Sequence, residues 1–322
     1  MKFAFLLLIC ALPAGVAAQQ LPYQVQFRQL YGYINPASVN SDYFLYEYNT
    51  ALNTSYRMQW AAHPQTPRTF HASADFIHDN LNRGRGFNLA SGVMLLQDRT
   101  GPYSLTGAHV RLASLFAEDP YLGAFSLGFN AGATQYRLQH ERILWEDLSD
   151  GHIPTEDIST TQPELGVGAF YYKRLKKGRL KGDNIYAGVS VPQIWAARVQ
   201  VASGNNQVAV TRVPHVFVTG GWYHFFNADS FLETSFWLKN AGPRTNVHLV
   251  ARFQPMRTFW VGGGVNPNGL VHLEAGFNLP GFLAENGALK IGYAYDYNIT
   301  ALELPFGASH EMHFSYLFDT RR

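Results

Sequence analysis

The chain has little cysteine: one residue, Cys10, in 322. Cys10 falls within an apolar run from Phe3 to Leu12 that follows Lys2, is broken by Pro13 and leads through Val16-Ala17-Ala18 to Gln19. That is the pattern of a secretory signal, residues 1–18, cut after Ala18. The run is far shorter than the roughly 20 apolar residues needed to span a bilayer, which disfavours an anchoring helix. Ile9 is too bulky for the position before a lipid-modified cysteine. The exported chain is therefore expected to carry no thiol, which excludes disulfides and thiolate metal sites, and no cofactor or metal site is expected in it.

Charge is scarce too. Charged residues make up 15% of the chain, the net charge is +2, and Lys and Arg gather into no dominant face, so the composition speaks against a nucleic-acid partner. No later stretch approaches a membrane helix, and the mean hydropathy is −0.13. Catalytic signatures are missing as well. The 12 histidines are scattered singly, and there is no His-Glu-x-x-His helix, no Gly-x-Ser-x-Gly elbow and no Gly-x-x-x-x-Gly-Lys loop. Ser309-His310 stand together, but nothing marks them as a nucleophile and its base. The chain reads as a non-enzyme.

What is abundant is alternation and aromatic residues, the latter 15% of the chain. In Leu289-Lys290-Ile291-Gly292-Tyr293-Ala294-Tyr295-Asp296-Tyr297 the odd positions are large and apolar or aromatic, and the even ones are charged or small. A strand with its two-residue period turns one set to lipid and the other to water. Segments of this kind fall at 44–60, 68–78, 86–97, 103–115, 123–137, 163–172, 184–191, 214–225, 230–238, 245–253, 258–265, 269–277, 288–297 and 310–318. An even number of short alternating segments without a membrane helix predicts an all-β fold: a transmembrane antiparallel β-barrel of about 14 strands, outer-membrane type. A soluble β-sandwich is the competing class, and about 300 mature residues are many for one sandwich.

Faces follow where the alternation is clean. His71, Ser73 and Asp75 oppose Phe70, Ala72, Ala74 and Phe76; Asn246, His248 and Arg252 oppose Val247, Leu249, Ala251 and Phe253; Glu311, His313 and Ser315 oppose Met312, Phe314, Tyr316 and Phe318. The first set in each case is expected in the lumen, because an Arg or Lys on the lipid face costs roughly 2 to 4 kcal/mol near the bilayer midplane. Arg57, Asp75, Glu233, Arg252, Glu274, Lys290, Asp296 and Glu311 are then candidate members of an internal ionic network. Bracing the barrel is the commoner role of such charges, and lining a substrate path the rarer one.

Residues 43–322 form the expected barrel, and residues 19–42 precede it as a segment rich in Gln, Tyr, Asn and Pro. That segment is a candidate lumen plug, with a turn at Asn35-Pro36. With both termini in the periplasm, connections 138–162, 192–213 and 298–309 fall outside the cell, and 79–85, 226–229 and 254–257 inside. The basic stretch Lys173, Arg174, Lys176, Lys177, Arg179 and Lys181 lands on the periplasmic side. Most such charge blocks are solvated hairpins, and the alternative is a docking loop for a periplasmic partner. The acidic loop 141–157 matches no calcium-loop spacing and reads as solvated.

The order of short motifs carries more than any one of them. Gln26-Phe27-Arg28 and Tyr33-Ile34-Asn35-Pro36-Ala37 come first, then Tyr56-Arg57-Met58-Gln59-Trp60, Pro67 to Asp75, and Gln97-Asp98-Arg99-Thr100-Gly101-Pro102. Pro163 to Tyr172, Tyr186 to Pro192, Gly292-Tyr293-Ala294-Tyr295-Asp296 and Gly307-Ala308-Ser309-His310-Glu311 complete the series. In this order and spacing the chain resembles the PorP/SprF family of outer-membrane proteins, associated with type IX secretion and gliding motility in Bacteroidota. It departs at Ser38-Val39-Asn40, where the family often has a glycine-containing turn, and in the four residues after Phe318. The resemblance implies a non-enzymatic barrel that helps a secreted cargo protein, often an adhesin with a type B carboxy-terminal domain, to reach or stay on the cell surface. It also implies other translocon or periplasmic components and outer-membrane lipids as partners. A passive porin-like channel for small solutes is the alternative, since lumen charges and long outer loops are equally expected there.

Overall fold

The computed structural model describes residues 27–62, 65–79, 86–142, 156–176, 182–194, 197–203, 206–242, 244–299 and 306–321. The expected signal, residues 1–18, lies outside them. Fourteen antiparallel strands close into a barrel. Seven are β1 Thr50–Met58, β2 Arg68–His78, β3 Phe87–Thr100, β4 Tyr103–Phe116, β5 Gly123–Leu138, β6 Ile158–Arg174 and β7 Asn184–Val191. A separate hairpin of β8 Ala197–Ser203 and β9 Asn206–Arg212 follows. The barrel resumes with β10 His215–Phe225, β11 Phe231–Ala241, β12 Arg244–Met256, β13 Phe259–Val265, β14 Leu270–Pro280, β15 Gly287–Asn298 and β16 Ser309–Phe318. Strands pair with their chain neighbours, β7 with β10 across the hairpin, and β1 closes the ring on β16 with Thr50 opposite Phe318 and Arg57 opposite Glu311.

The molecule is apolar outside and polar inside, the inverse of a soluble domain. Leu95, Leu127, Phe129, Leu273 and Phe277 are exposed, whereas His71, Glu233, His248, Asp296 and Glu311 are buried on the opposite face of the wall. Such an exterior is stable only against hydrocarbon, and closure leaves no strand edge bare within it. No helix among the described residues is long and apolar enough to cross a membrane.

Asn49 binds Thr320 through both its side-chain groups, so the start of β1 and the tail after β16 share one end of the barrel, the terminal end. The three longest connections, 139–157, 192–214 and 299–308, all lie at the far end.

Three expectations are corrected. Residues 44–49 are not strand. Residues 41–46 form a short helix, α2 Ser41–Tyr46, and β1 starts at Thr50, so the segment before the barrel runs past residue 42. Asn40 caps α2 by accepting from the Asp42 N–H at 3.0 Å, and Glu47 ends it in the left-handed region at φ 65°. Phe44, Tyr46 and Tyr48 mimic a strand in their spacing, but the cap decides. Connection 192–213 is not loop alone, because it contains the β8–β9 hairpin. β6 also begins at Ile158, five residues before the expected start at 163.

Candidate functional site: the barrel interior

Residues 27–46, the described part of the chain that leads to β1, lie within the lumen. A 3-10 turn, Phe27–Leu30, leads into α1 Tyr31–Ile34, and the segment continues through Asn35-Pro36-Ala37 to α2. Tyr31, Ile34, Ala37, Val39, Tyr43 and Phe44 are all buried. The wall holds this segment at several levels. The Ser190 hydroxyl donates to Ile34 O at 2.6 Å, Asn35 Nδ2 donates to Ala169 O at 2.9 Å, and Arg111 donates to Pro36 O at 3.2 Å and Ser38 O at 2.9 Å. Tyr31 donates to the Tyr186 hydroxyl at 2.8 Å, and Tyr186 donates onward to Glu233 at 3.2 Å.

The Asn35-Pro36-Ala37 turn has a seat built of glycine. Gly128 on β5 faces Gly168 on β6 in register. A Cβ at Gly128 would lie 2.7 Å from the backbone of Pro36 and Ala37, and one at Gly168 would run into Asn35 Oδ1. These strand glycines let another backbone approach the wall.

The eight candidate network residues are all on the inner face, but they form separate groups. Arg57 holds Asp296 in a bidentate pair at 2.6 and 2.8 Å and reaches Glu311 at 3.4 Å. Arg252 pairs with Glu233 at 2.9 Å. Glu274 joins that group through Arg28 of the segment, which also lies 3.5 Å from Glu233. Asp75 pairs with Arg111 at 2.7 Å, and Lys290 with Asp42 of α2. Burial works against the charge of Arg28, but the Glu233 and Glu274 carboxylates more than reverse it and hold its pKa above the ordinary guanidinium value.

Sequence reasoning missed three of these partners: Arg28, Asp42 and Arg111. Arg111 was legible, since it shares the inward parity of His109 against outward Val110 and Leu112. Arg28 and Asp42 lie outside any strand, where periodicity says nothing.

At the terminal end Asp79 gathers four chain segments. It accepts from Tyr43 at 3.1 Å, Tyr121 at 2.6 Å and Arg321 at 2.5 Å, while Arg321 also donates to Glu47 O at 3.0 Å. Gln254 donates to Tyr46 at 2.7 Å, and burial pushes the Tyr46 hydroxyl up to about 12. Of the basic stretch, Arg174 turns inward and donates to Phe44 O at 3.1 Å, whereas Lys173 and Lys176 are exposed. Lys177, Arg179 and Lys181 lie outside the described residues, as does most of the acidic loop. Asp157, at the end of that loop, binds Arg137 at 2.6 Å and His140 at 3.1 and 3.2 Å. Arg137 first, then His140, hold its carboxyl below the usual carboxylate range. No cluster of three metal-ligating side chains occurs among the described residues.

A closed ring of strands with an apolar exterior and an ion-paired interior defines an outer-membrane β-barrel. The fold is similar to that of the Ralstonia pickettii toluene transporter TbuX, at 11% identity over 88% of this chain and 92% of that chain, with a TM-score of 0.54. It is also similar to the CymD monoaromatic hydrocarbon channel, at 9% identity over 89% and 94% of the two chains, with a TM-score of 0.51. At these identities the likeness is one of fold alone. Residues 16–316 match the family described as type IX secretion system membrane protein PorP/SprF, and the chain belongs to that family. No curated protein matches it. Family and fold are those of a secretion-system membrane barrel, not of an enzyme.

Proposed function

We propose that this barrel serves one secreted cargo protein carrying a type B carboxy-terminal domain, helping it across the outer membrane or holding it at the cell surface. The signal is cut after Ala18, the terminal end faces the periplasm and the far end the exterior, in keeping with the long loops there. Residues 27–46 act as a plug. Lys173 at the end of β6 and Lys176 just after it, both exposed, offer a docking point to another component of the secretion system.

Beside family membership, the observation that carries the reading is the occupied lumen. Arg28, Asn35, Asp42 and Tyr43 tie the segment to strands around the ring. A passive channel for small solutes needs a continuous wet path, and this interior is spent on holding its own chain. The test is affinity purification from outer membranes in mild detergent, with mass spectrometry. The expected result is one large protein with a type B domain in near-equal amount. Recovery of no such protein at several detergent strengths, together with steady ion conductance by the purified barrel, would establish the channel instead.

A further inference from the structure

The ion-paired charges of the lumen have a counterpart outside, where a row of arginines at the far end of the wall points away from it. Arg68, the first residue of β2, stands directly opposite Arg99, near the end of β3. Arg99 stands opposite Ser104 on β4, and Ser104 opposite Arg137 on β5, so the three arginines share one row across four neighbouring strands. At about 5 Å per strand, Arg68 and Arg99 are rooted side by side and Arg137 about 10 Å beyond. Their outward direction follows from their neighbours. Thr69 is buried and donates to Asp98 at 2.6 Å on the inner face, which turns Arg68 and Arg99 to the outer one.

The row sits where the lipid face gives way to water. One outward position nearer the midplane come Phe70, Gln97, Thr106 and Gln135, all exposed, and below them Leu95, Val93 and Val110 present bare apolar surface. An aromatic and polar border of this kind marks the headgroup level, where an outward arginine costs little. The charge of the row is unevenly met. Arg137 is answered by Asp157 at 2.6 Å. The Arg99 guanidinium has one neutral partner, Gln139 Oε1 at 3.1 Å, and the exposed Arg68 guanidinium has no hydrogen-bond or ion-pair partner among the described residues. Like charges directly opposite in a ladder repel, so Arg68 and Arg99 form a cross-strand pair that is unfavourable unless an anion lies between them. Guanidinium groups suit phosphate above other anions, because their planar forks donate two hydrogen bonds at once.

We propose that Arg68 and Arg99 hold the phosphate of an outer-leaflet lipid, whose acyl chains lie on the wall below at Leu95, Val93 and Val110. The lipid is favoured over free phosphate because the cationic pair is continuous with the lipid-facing surface beneath it. The inference rests on the orientation proposed above, with the far end outside, and not on the cargo.

The test is native mass spectrometry of the purified barrel in detergent with monophosphoryl lipid A as the probe. The native barrel should hold one molecule, and Arg68→Gln with Arg99→Gln should weaken binding about tenfold or more. Arg244→Gln with Arg257→Gln removes two exposed arginines elsewhere and should leave binding unchanged. Dephosphorylated lipid A should bind no better to the native barrel than to the Arg68/Arg99 variant, and excess inorganic phosphate should not displace the probe. A photo-crosslinking side chain at position 97 of the otherwise native barrel should capture the phosphorylated probe in preference to the dephosphorylated one. This second measurement stands if the double variant fails to fold. Native-like binding by the folded Arg68/Arg99 variant, equal loss in the Arg244/Arg257 variant, capture without regard to phosphate, or displacement by inorganic phosphate would each overturn the lipid site. Orientation is read separately, from Glu141→Cys in intact cells, which a membrane-impermeant maleimide should label. An unlabelled thiol beside intact probe binding would overturn the leaflet and the orientation, but not the arginine pair.

Discussion

Gly128→Val tests whether the amino-terminal segment closes the lumen. A Cβ at Gly128 lies 2.7 Å from Pro36 C, Ala37 N and Ala37 Cα, and an ordinary contact begins at 3.4 Å, so one partner must move by about 0.7 Å. The atoms met are backbone on both sides, and no side chain can swing away. The wall is the stiffer partner, since β5 is laddered to β4 and β6 along its length. The segment therefore yields. Overpacking of this kind costs about 1 to 3 kcal/mol. Displacing the turn also weakens the Asn35 bond to Ala169 and the Arg111 bonds to Pro36 and Ser38, each worth about 0.5 to 3 kcal/mol depending on charge. A total of roughly 3 kcal/mol shifts the ratio of seated to unseated segment by about two decades. Valine suits a strand, so the barrel itself should fold. Conductance in planar bilayers is the assay, with Ala133→Val on the outer face of β5 as control. Gly128→Val and removal of residues 19–40 should both open the pore, and the control should not. A folded Gly128→Val barrel as closed as the native one would refute the seat, and a closed barrel after the deletion would refute the plug.

Arg57→Met removes the guanidinium that holds buried Asp296 in a bidentate pair and should cost about 3 to 5 kcal/mol, seen as a lower urea midpoint in lipid vesicles. A change within error would mean that water or a neighbour already carries that charge. Asp79→Ala removes the acceptor shared by Tyr43, Tyr121 and Arg321, so the amides of α2 should exchange hydrogen faster while those of β5 do not, and equal protection of α2 in both proteins would count against an Asp79 clasp. Asp157 has a depressed pKa, so its clasp on Arg137 and His140 is complete above the ordinary carboxylate value near pH 4 and is lost as pH falls through the lowered value. Its carboxyl carbon should titrate below that of a reference peptide by NMR, and a midpoint at or above the reference would remove the clasp from the account.

The wall was legible because lipid on one side and a polar interior on the other leave strands such as β14 to β16 only one pattern. His272 and Glu274 alternate with Leu273 and Ala275, and Glu311 and His313 alternate with Met312 and Phe314, with the polar set buried. What periodicity does not encode was harder to read. α2 is short and set by its Asn40 cap, so the spacing of its aromatics pointed to a strand. The β8–β9 hairpin forms a sheet of its own and is not one of the strands of the barrel wall. Gly128 and Gly168 reveal their purpose only once Asn35-Pro36-Ala37 is seen against them, a contact between positions far apart in the chain. For the charges, the strand members could be named from parity, but their grouping depends on Arg28 and Asp42, which reach the wall from within the lumen.

The most direct measurement is a paired substitution, Asp42→Cys with Lys290→Cys, in the mature chain, where no other thiol is expected. Replacing both members of the pair leaves no lone buried charge, and the two side chains meet only if α2 lies inside the barrel against β15. A bifunctional thiol reagent whose spacer replaces the reach of the lysine side chain should join the two cysteines within one chain in nearly every molecule of intact outer membranes. Free thiols at both positions in a folded barrel would contradict the account.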